Sequence, residues 1–247
     1  MAFALSIVKL EAALKKPGCP VCRMAHEAAE QSIDSFLWEN TNDPRTRQPI
    51  NDAYGFCPEH TRLLVAKERM TSGPVLGVNI IYGLLAKNVA RELQALERAV
   101  GNAPALAARL PLRKRKPVLE PKGRCPVCTQ QEEAAANVLG TLFELFDGAE
   151  GEFQATYREA DGLCLAHLRQ GLELYRGEHP RAAKTLIAET VARLQRQQTE
   201  MAEYVRKHNW EYRDEKMTPA EQTAWLHTLT FFTGLPEGKF DHKVDEF

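Results

Sequence analysis

The chain carries Cys19-Pro20-Val21-Cys22 near its start and, after 34 intervening residues, Cys57-Pro58-Glu59-His60. The same pattern returns as Cys125-Pro126-Val127-Cys128 and, after 35 intervening residues, Cys164-Leu165-Ala166-His167. All six cysteines of the chain belong to these four motifs. Because a shift of 106 residues superposes the two CPxC motifs, the sequence predicts an internal duplication in which each copy carries one CPxC pair and one CxxH pair.

The spacing inside each motif suits a helix N-terminus that presents two metal ligands. With Cys19 at the N-cap and Pro20 at the first helical position, Cys22 lies one turn on and on the same face. Cys57 and His60 stand in the same relation. A helix N-terminus carries partial positive charge and free N–H groups, which stabilise a coordinated thiolate. Two such helix starts would bring four ligands together.

We predict two Cys3His zinc sites, one in each copy, because three thiolates and one imidazole form a common structural zinc set. Each metal would join the two motifs of its own copy and contribute roughly 10 to 16 kcal/mol, as in small zinc-binding peptides. Four protein ligands leave no position for a reacting water, so we expect structural ions. The predicted ligands are Cys19, Cys22, Cys57 and His60 in the first site and Cys125, Cys128, Cys164 and His167 in the second.

Three other interpretations of these residues remain open. The same Cys3His sets could hold an iron-sulfur cluster, which tolerates mixed cysteine and histidine ligands. The CPxC motif also resembles a dithiol redox site at a helix start, although that chemistry normally needs a βαβ context that the sequence does not indicate. His26 lies four residues after Cys22 and could replace a ligand, but it has no equivalent in the second copy, which favours a surface histidine.

The hydrophobic pattern predicts an all-α fold with two tandem helical repeats and a C-terminal helix, since no stretch alternates long enough to indicate a strand. We expect a helix from about Pro20 to Trp38 and a short helix that Asp43 caps. A further helix should begin after Thr218, which caps it, and end at Gly234. The predicted segments are residues 1–101 for an N-terminal helix and the first repeat, 102–124 for a linker, 125–209 for the second repeat, and 210–247 for the C-terminal helix and tail.

The charge of the chain gives no general attraction to nucleic acid or anionic lipid, because 32 basic residues face 33 acidic ones. The linker 102–124 is an exception, since it combines four prolines with a cluster of basic side chains. A role in nucleic-acid binding through this cluster is therefore an alternative hypothesis. Its candidate contacts are Arg113, Lys114, Arg115 and Lys116.

The N-terminus lacks the pattern of a signal peptide, and no apolar run is long enough to span a membrane. We therefore expect a cytoplasmic protein without membrane contact. In a reducing compartment, six cysteines are better explained by metal or redox chemistry than by disulfides.

The paired CPxC and CxxH motifs, followed by the run from Arg206 to Glu215 and its tryptophan-bearing helix, resemble an uncharacterised prokaryotic domain-of-unknown-function family. The resemblance spans most of the chain and implies soluble helical proteins with metal sites, without implying an activity. Because the sequence shows no convergent acid, base and nucleophile, we expect a zinc-binding scaffold or adaptor rather than an enzyme. The apolar seams of the long helices favour a protein partner or a homodimer.

Overall fold

A computed structural model describes residues 2–38, 43–70, 75–101, 119–148 and 151–234. These residues form ten α-helices, one short 3₁₀ turn at Trp210–Tyr212 and no strand, which confirms the predicted all-α class. The helices are α1 (Ala2–Leu14), α2 (Pro20–Trp38), α3 (Pro44–Asp52), α4 (Pro58–Met70), α5 (Leu76–Gly101), α6 (Pro126–Asp147), α7 (Glu152–Glu159), α8 (Leu165–Tyr175), α9 (Pro180–Lys207) and α10 (Pro219–Thr233).

Each of the four cysteine motifs starts a helix, as the sequence predicts. Pro20, Pro58 and Pro126 are the first residues of α2, α4 and α6. Proline suits this position because its fixed φ is helical and its missing N–H would have no partner there. The fourth motif has Leu165 in place of proline, yet α8 still begins at this residue with Cys164 as an extended N-cap (φ −71°, ψ 164°).

Two other predicted helix boundaries are confirmed by their capping contacts. The side chain of Asp43 accepts a hydrogen bond of 3.1 Å from the backbone N–H of Arg45 at the start of α3. Thr218 and Glu221 form a reciprocal capping box at the start of α10, with hydrogen bonds of 3.2 and 2.8 Å. Helix α10 ends at Gly234, whose φ of 62° lies in the left-handed region that glycine adopts without strain.

The described residues divide between two compact units. Unit 1 comprises residues 1–28 and 132–247, and unit 2 comprises residues 29–131. The divisions fall inside α2, after Ala28, and inside α6, after Gln131. The predicted division at the linker 102–124 stays a prediction, since residues 102–118 lie outside the described part of the chain.

The core of unit 1 joins the first two turns of α2 to helices from the second half of the chain. Val21 is fully buried and belongs to the same apolar cluster as Leu139, Phe143 and Leu186. Tyr157 of α7 is also fully buried there, and its ring lies 4.9 Å from that of Phe146 in an edge-to-face contact. This core holds the starts of α2 and α8 in one unit.

The core of unit 2 joins the first turn of α6 to helices from the first half of the chain. Val127, from the first turn of α6, is fully buried and packs in one apolar cluster with Ile33 and Ile50. Phe56 extends this cluster through ring contacts to Phe36 at 5.3 Å and to Tyr82 at 6.4 Å. The start of α6 therefore packs with the helices that surround the Cys57 motif.

None of the described helices is long and apolar enough to span a lipid bilayer.

Candidate metal centres

The first Cys3His group lies in unit 1, where the start of α2 meets the start of α8. Cys19 and Cys22 come from α2, and Cys164 and His167 come from α8. The Nδ1 atom of His167 lies 3.6 Å from Cys19 Sγ, 3.2 Å from Cys22 Sγ and 3.3 Å from Cys164 Sγ. The Cys22 and Cys164 sulfurs are 3.7 Å apart. All four donor atoms therefore converge on one point.

The second Cys3His group lies in unit 2, where the start of α4 meets the start of α6. The Nδ1 atom of His60 lies 3.2 Å from Cys57 Sγ, 3.6 Å from Cys125 Sγ and 3.3 Å from Cys128 Sγ. The Cys57 and Cys128 sulfurs are 3.7 Å apart. Each distance agrees with its counterpart in unit 1 within 0.1 Å. The two groups therefore offer the same coordination geometry.

The predicted pairing of the motifs is wrong, although the eight residues gather as two Cys3His groups. Residues 19–22 were predicted to share a metal with residues 57–60 because these motifs are neighbours along the chain. In the structure, residues 19–22 lie with residues 164–167, and residues 57–60 lie with residues 125–128. The cause is the packing described above, which places the first turn of α2 and that of α6 in different units.

The distances match a tetrahedron around a single ion. With a metal–sulfur bond of about 2.3 Å and a metal–nitrogen bond of about 2.0 Å, tetrahedral zinc requires S···S edges of about 3.8 Å and S···N edges of about 3.5 Å. The S···S contacts given above are 3.7 Å and the S···N contacts are 3.2 to 3.6 Å. All donor atoms of each group lie within 4.8 Å of one another. Both groups could hold a metal ion with little rearrangement.

The thiols of each group differ in their readiness to ionise. Hydrogen bonds from the two CPxC thiols hold the pKa of Cys164 well below its usual range, and the same contact raises the pKa of Cys22. In unit 2, burial raises the pKa of Cys128 to about 12. Burial also tends to raise the pKa of Cys57. Hydrogen bonds to its sulfur from the backbone N–H of His60 and from the neighbouring thiols outweigh burial, so the pKa of Cys57 is lowered. In each group, the cysteine of the CxxH pair therefore has a lowered pKa and the second cysteine of the CPxC pair has a raised one.

The imidazole in unit 2 is fixed by a second contact. His60 is only 2% exposed, and its Nε2–H donates to Gln131 Oε1 over 3.0 Å. This contact selects the tautomer that leaves Nδ1 free to bind a metal, which is the usual role of an outer partner of a ligating histidine. Three residues after Cys22, the corresponding position in α2 is Ala25, which cannot accept a hydrogen bond. The two groups therefore differ in their outer contacts.

The group in unit 1 is instead supported by α10. Asp161 accepts a hydrogen bond of 2.5 Å from the backbone N–H of Gly18, the residue before Cys19. The other carboxylate oxygen of Asp161 lies 2.8 Å from Nδ1 of His227 on α10. This chain of contacts ties the loop before the first CPxC motif to the C-terminal helix.

The end of α10 closes directly over two sulfurs of this group. A Cβ atom added at Gly234 would lie 3.2 Å from Cys164 Sγ and 3.3 Å from Cys22 Sγ, closer than ordinary contact. Together with its positive φ, this close approach explains why glycine stands here. The C-terminal helix, which α9 supports along its length, therefore limits access to the first group.

Several residues that matter to these sites could not be assigned from the motifs alone. Gln131 lies three residues after Cys128 and so on the same face of the helix. This spacing could have identified it from the sequence as a neighbour of the ligands. Asp161, His227 and Gly234 carry no such signal, because they reach the site only through tertiary packing. His26 is not part of either Cys3His group. The basic cluster Arg113 to Lys116 lies outside the described residues.

Comparison with known proteins identifies a family but no function. No curated protein and no solved structure matches the chain. The resemblance to a domain-of-unknown-function family is confirmed, since the family described as being of unknown function, DUF6062, matches residues 3–234. This match covers both Cys3His groups and all of α10. The chain therefore belongs to the DUF6062 family, a family of unknown function.

Proposed function

We propose that each Cys3His group binds one zinc ion and that the protein is a metal-stabilised helical scaffold. The observation that carries this proposal is the agreement between the donor distances and the edges of a tetrahedral zinc site. Three thiolates and one imidazole match the preference of zinc, and four protein ligands complete its usual structural coordination. No position remains for a water that the metal could activate.

A single ion fits these groups better than an iron-sulfur cluster. A cluster contains several irons that bind separate ligands, so its protein ligands lie farther apart than ligands that share one ion. Here all four donor atoms lie within 4.8 Å of one another. A dithiol redox role has less support as well, because each CPxC pair faces a histidine and a third sulfur, and the described residues contain no strand for a βαβ redox fold.

The proposed ions would act as cross-links between distant parts of the chain. The contact between Cys22 and Cys164 joins residues 142 positions apart, and that between Cys57 and Cys128 joins residues 71 positions apart. Binding worth roughly 10 to 16 kcal/mol per site, as in small zinc-binding peptides, is comparable with the whole stability of a domain of this size. Metal loading would therefore decide whether each unit folds.

A scaffold implies a partner, and a protein partner or a second copy remains a prediction. It is supported by the outer face of α10, where Trp225, Leu229 and Phe232 recur at helical spacing and are 44% to 59% exposed. Light scattering coupled to size-exclusion chromatography would test the second copy. A monomer at all accessible concentrations would contradict a homodimer.

Metal content tests the proposed function directly. We expect about two zinc ions per chain, no visible absorption, and unfolding on chelation in protein purified without oxygen and without a metal-affinity tag. His60→Ala should lose one of the two zinc ions, whereas His208→Ala, an exposed histidine outside both groups, should keep both. Iron with a visible absorption band, or full zinc content in His60→Ala, would contradict the proposal.

A further inference from the structure

Unit 1 contains a cavity of about 490 Å³ that has no relation to either Cys3His group. It lies between the end of α6, helix α7 and the first turns of α9. Its lining includes the cationic side chains of Arg158, Arg181 and Lys184, and none of the described residues that line it is acidic. A volume of this size suits a small organic molecule, since such sites range from about 300 to 1000 Å³.

The cavity concentrates positive charge in a chain that is nearly neutral. Glu189 lies 2.8 Å from Nε of Arg158 and compensates one of the three cations. Arg181 and Lys184 have no ion pair with another described residue. Among the described residues, these two solvent-exposed cations therefore have no acidic partner on this concave surface, and an anion bound there would interact favourably with both.

These two cations lie at the positively charged end of α9. Arg181 and Lys184 follow Pro180 within the first turns of the helix, where the helix dipole is positive and basic residues are unfavourable. The N-cap residue His179 forms no side-chain hydrogen bond with the first backbone N–H groups. Its ring instead contacts Asp147, with Nδ1 and Oδ2 3.3 Å apart. Because Arg181 and Lys184 line the cavity, an anion bound there would offset their unfavourable charge at this end of the helix.

The rest of the lining fits an organic group attached to that anion. Phe146, which is 5% exposed, and Ala188 contribute apolar surface. Thr185 is half-buried and offers a hydroxyl that can donate a hydrogen bond. A cavity lined by two cations that have no acidic partner among the described residues suits a dianion, and a phosphate monoester carries close to two negative charges at neutral pH.

We propose that this cavity binds a small molecule bearing a phosphate monoester. Arg181 and Lys184 contact the phosphate, and the organic group lies against Phe146. The site takes its ligand independently of the Cys3His groups, so that its failure would leave the zinc scaffold untouched.

Calorimetric titration of the full-length, metal-loaded protein tests this site, with phenyl phosphate as the probe and uncharged phenol for comparison. The variant Arg181→Ala/Lys184→Ala removes the two cations. The control Arg169→Ala/Arg213→Ala makes the same change in net charge at side chains that are 76% and 79% exposed and do not line the cavity. Circular dichroism and metal content verify that each variant is folded.

We expect phenyl phosphate to bind and phenol not to bind. The Arg181→Ala/Lys184→Ala variant should bind at least about tenfold more weakly, because hydrogen bonds to charged groups contribute more than neutral ones. The control variant should bind as the unmodified protein does. The proposal is overturned if phenyl phosphate does not bind at up to about 10 mM, well above a millimolar dissociation constant. Equal affinity in the double variant, or an equal loss in the control, overturns it too.

Discussion

The crossed arrangement of the motifs predicts which pairs of cysteines share a metal ion. Cys22→Ser/Cys164→Ser removes two ligands from the group in unit 1 and leaves the group in unit 2 complete. Cys22→Ser/Cys57→Ser removes the same number of cysteines but takes one ligand from each group. If motifs that are neighbours along the chain shared a metal instead, Cys22→Ser/Cys57→Ser would remove two ligands from one group. Cys22→Ser/Cys164→Ser would then remove one ligand from each. Each variant is therefore the matched control for the other, because both remove two cysteines.

The expected effects differ enough to be measured. A structural zinc site is worth roughly 10 to 16 kcal/mol over four ligands, so each ligand contributes about 3 kcal/mol, on the order of a hundredfold in affinity. Loss of two ligands from one group should weaken that group by on the order of ten-thousandfold and leave the other at full affinity. Loss of one ligand from each should weaken both groups by on the order of a hundredfold.

Competition with a metallochromic chelator measures these affinities, and native mass spectrometry counts the ions that remain bound. Cys22→Ser/Cys164→Ser should retain one zinc ion at the affinity of the unmodified protein. Cys22→Ser/Cys57→Ser should release both ions at a chelator strength that the unmodified protein resists. The reasoning is refuted if Cys22→Ser/Cys57→Ser keeps one ion at full affinity, or if Cys22→Ser/Cys164→Ser loses both.

Two further predictions concern the outer contacts of the groups. Gln131→Leu should lower the zinc affinity of the unit 2 group by about 10- to 100-fold, because the His60 ring loses its orienting partner. Chelator competition against the exposed neighbour Gln130→Leu measures this, and equal affinities would contradict it. The pKa of His227 is raised by its hydrogen bond to Asp161, so the pair stabilises α10 below about pH 6.5 and weakens as pH rises through that raised pKa. The pKa of Asp161, despite burial, is lowered by His227, so acid weakens the pair only as pH falls through that lowered value. Hydrogen exchange of α10, corrected for intrinsic rates, should therefore quicken as the pH rises above about 6.5, and more so than in His227→Gln. Parallel profiles would refute this.

The helix boundaries were predictable because their causes are local. Asp43, Thr218 and Gly234 each fix a helix end through contacts within a few residues, and such contacts can be identified from the order of side chains alone. The same holds for the pairing of ligands inside one motif. A cysteine at the N-cap and a second ligand three residues later share one face of any helix that begins between them.

The outer contacts could not be predicted in the same way. The aspartate that contacts Gly18 is 143 residues away, and His227 reaches it from another helix. The close approach of Gly234 to the sulfurs of Cys22 and Cys164 likewise depends on how α10 packs. These contacts are set by the burial of apolar surface over whole helices, which no local pattern specifies.

The sequence by itself determined the all-α class, the eight candidate ligands and their division into CPxC and CxxH pairs. It could not determine which CPxC pair meets which CxxH pair, because the two motifs of each kind have the same chemistry and either combination completes a Cys3His set. Only the tertiary structure decided this, through the burial of Val21 in the core of unit 1 and of Val127 in the core of unit 2. The free energy of burying such side chains depends on the surfaces that surround them, and those surfaces exist only once the chain has folded.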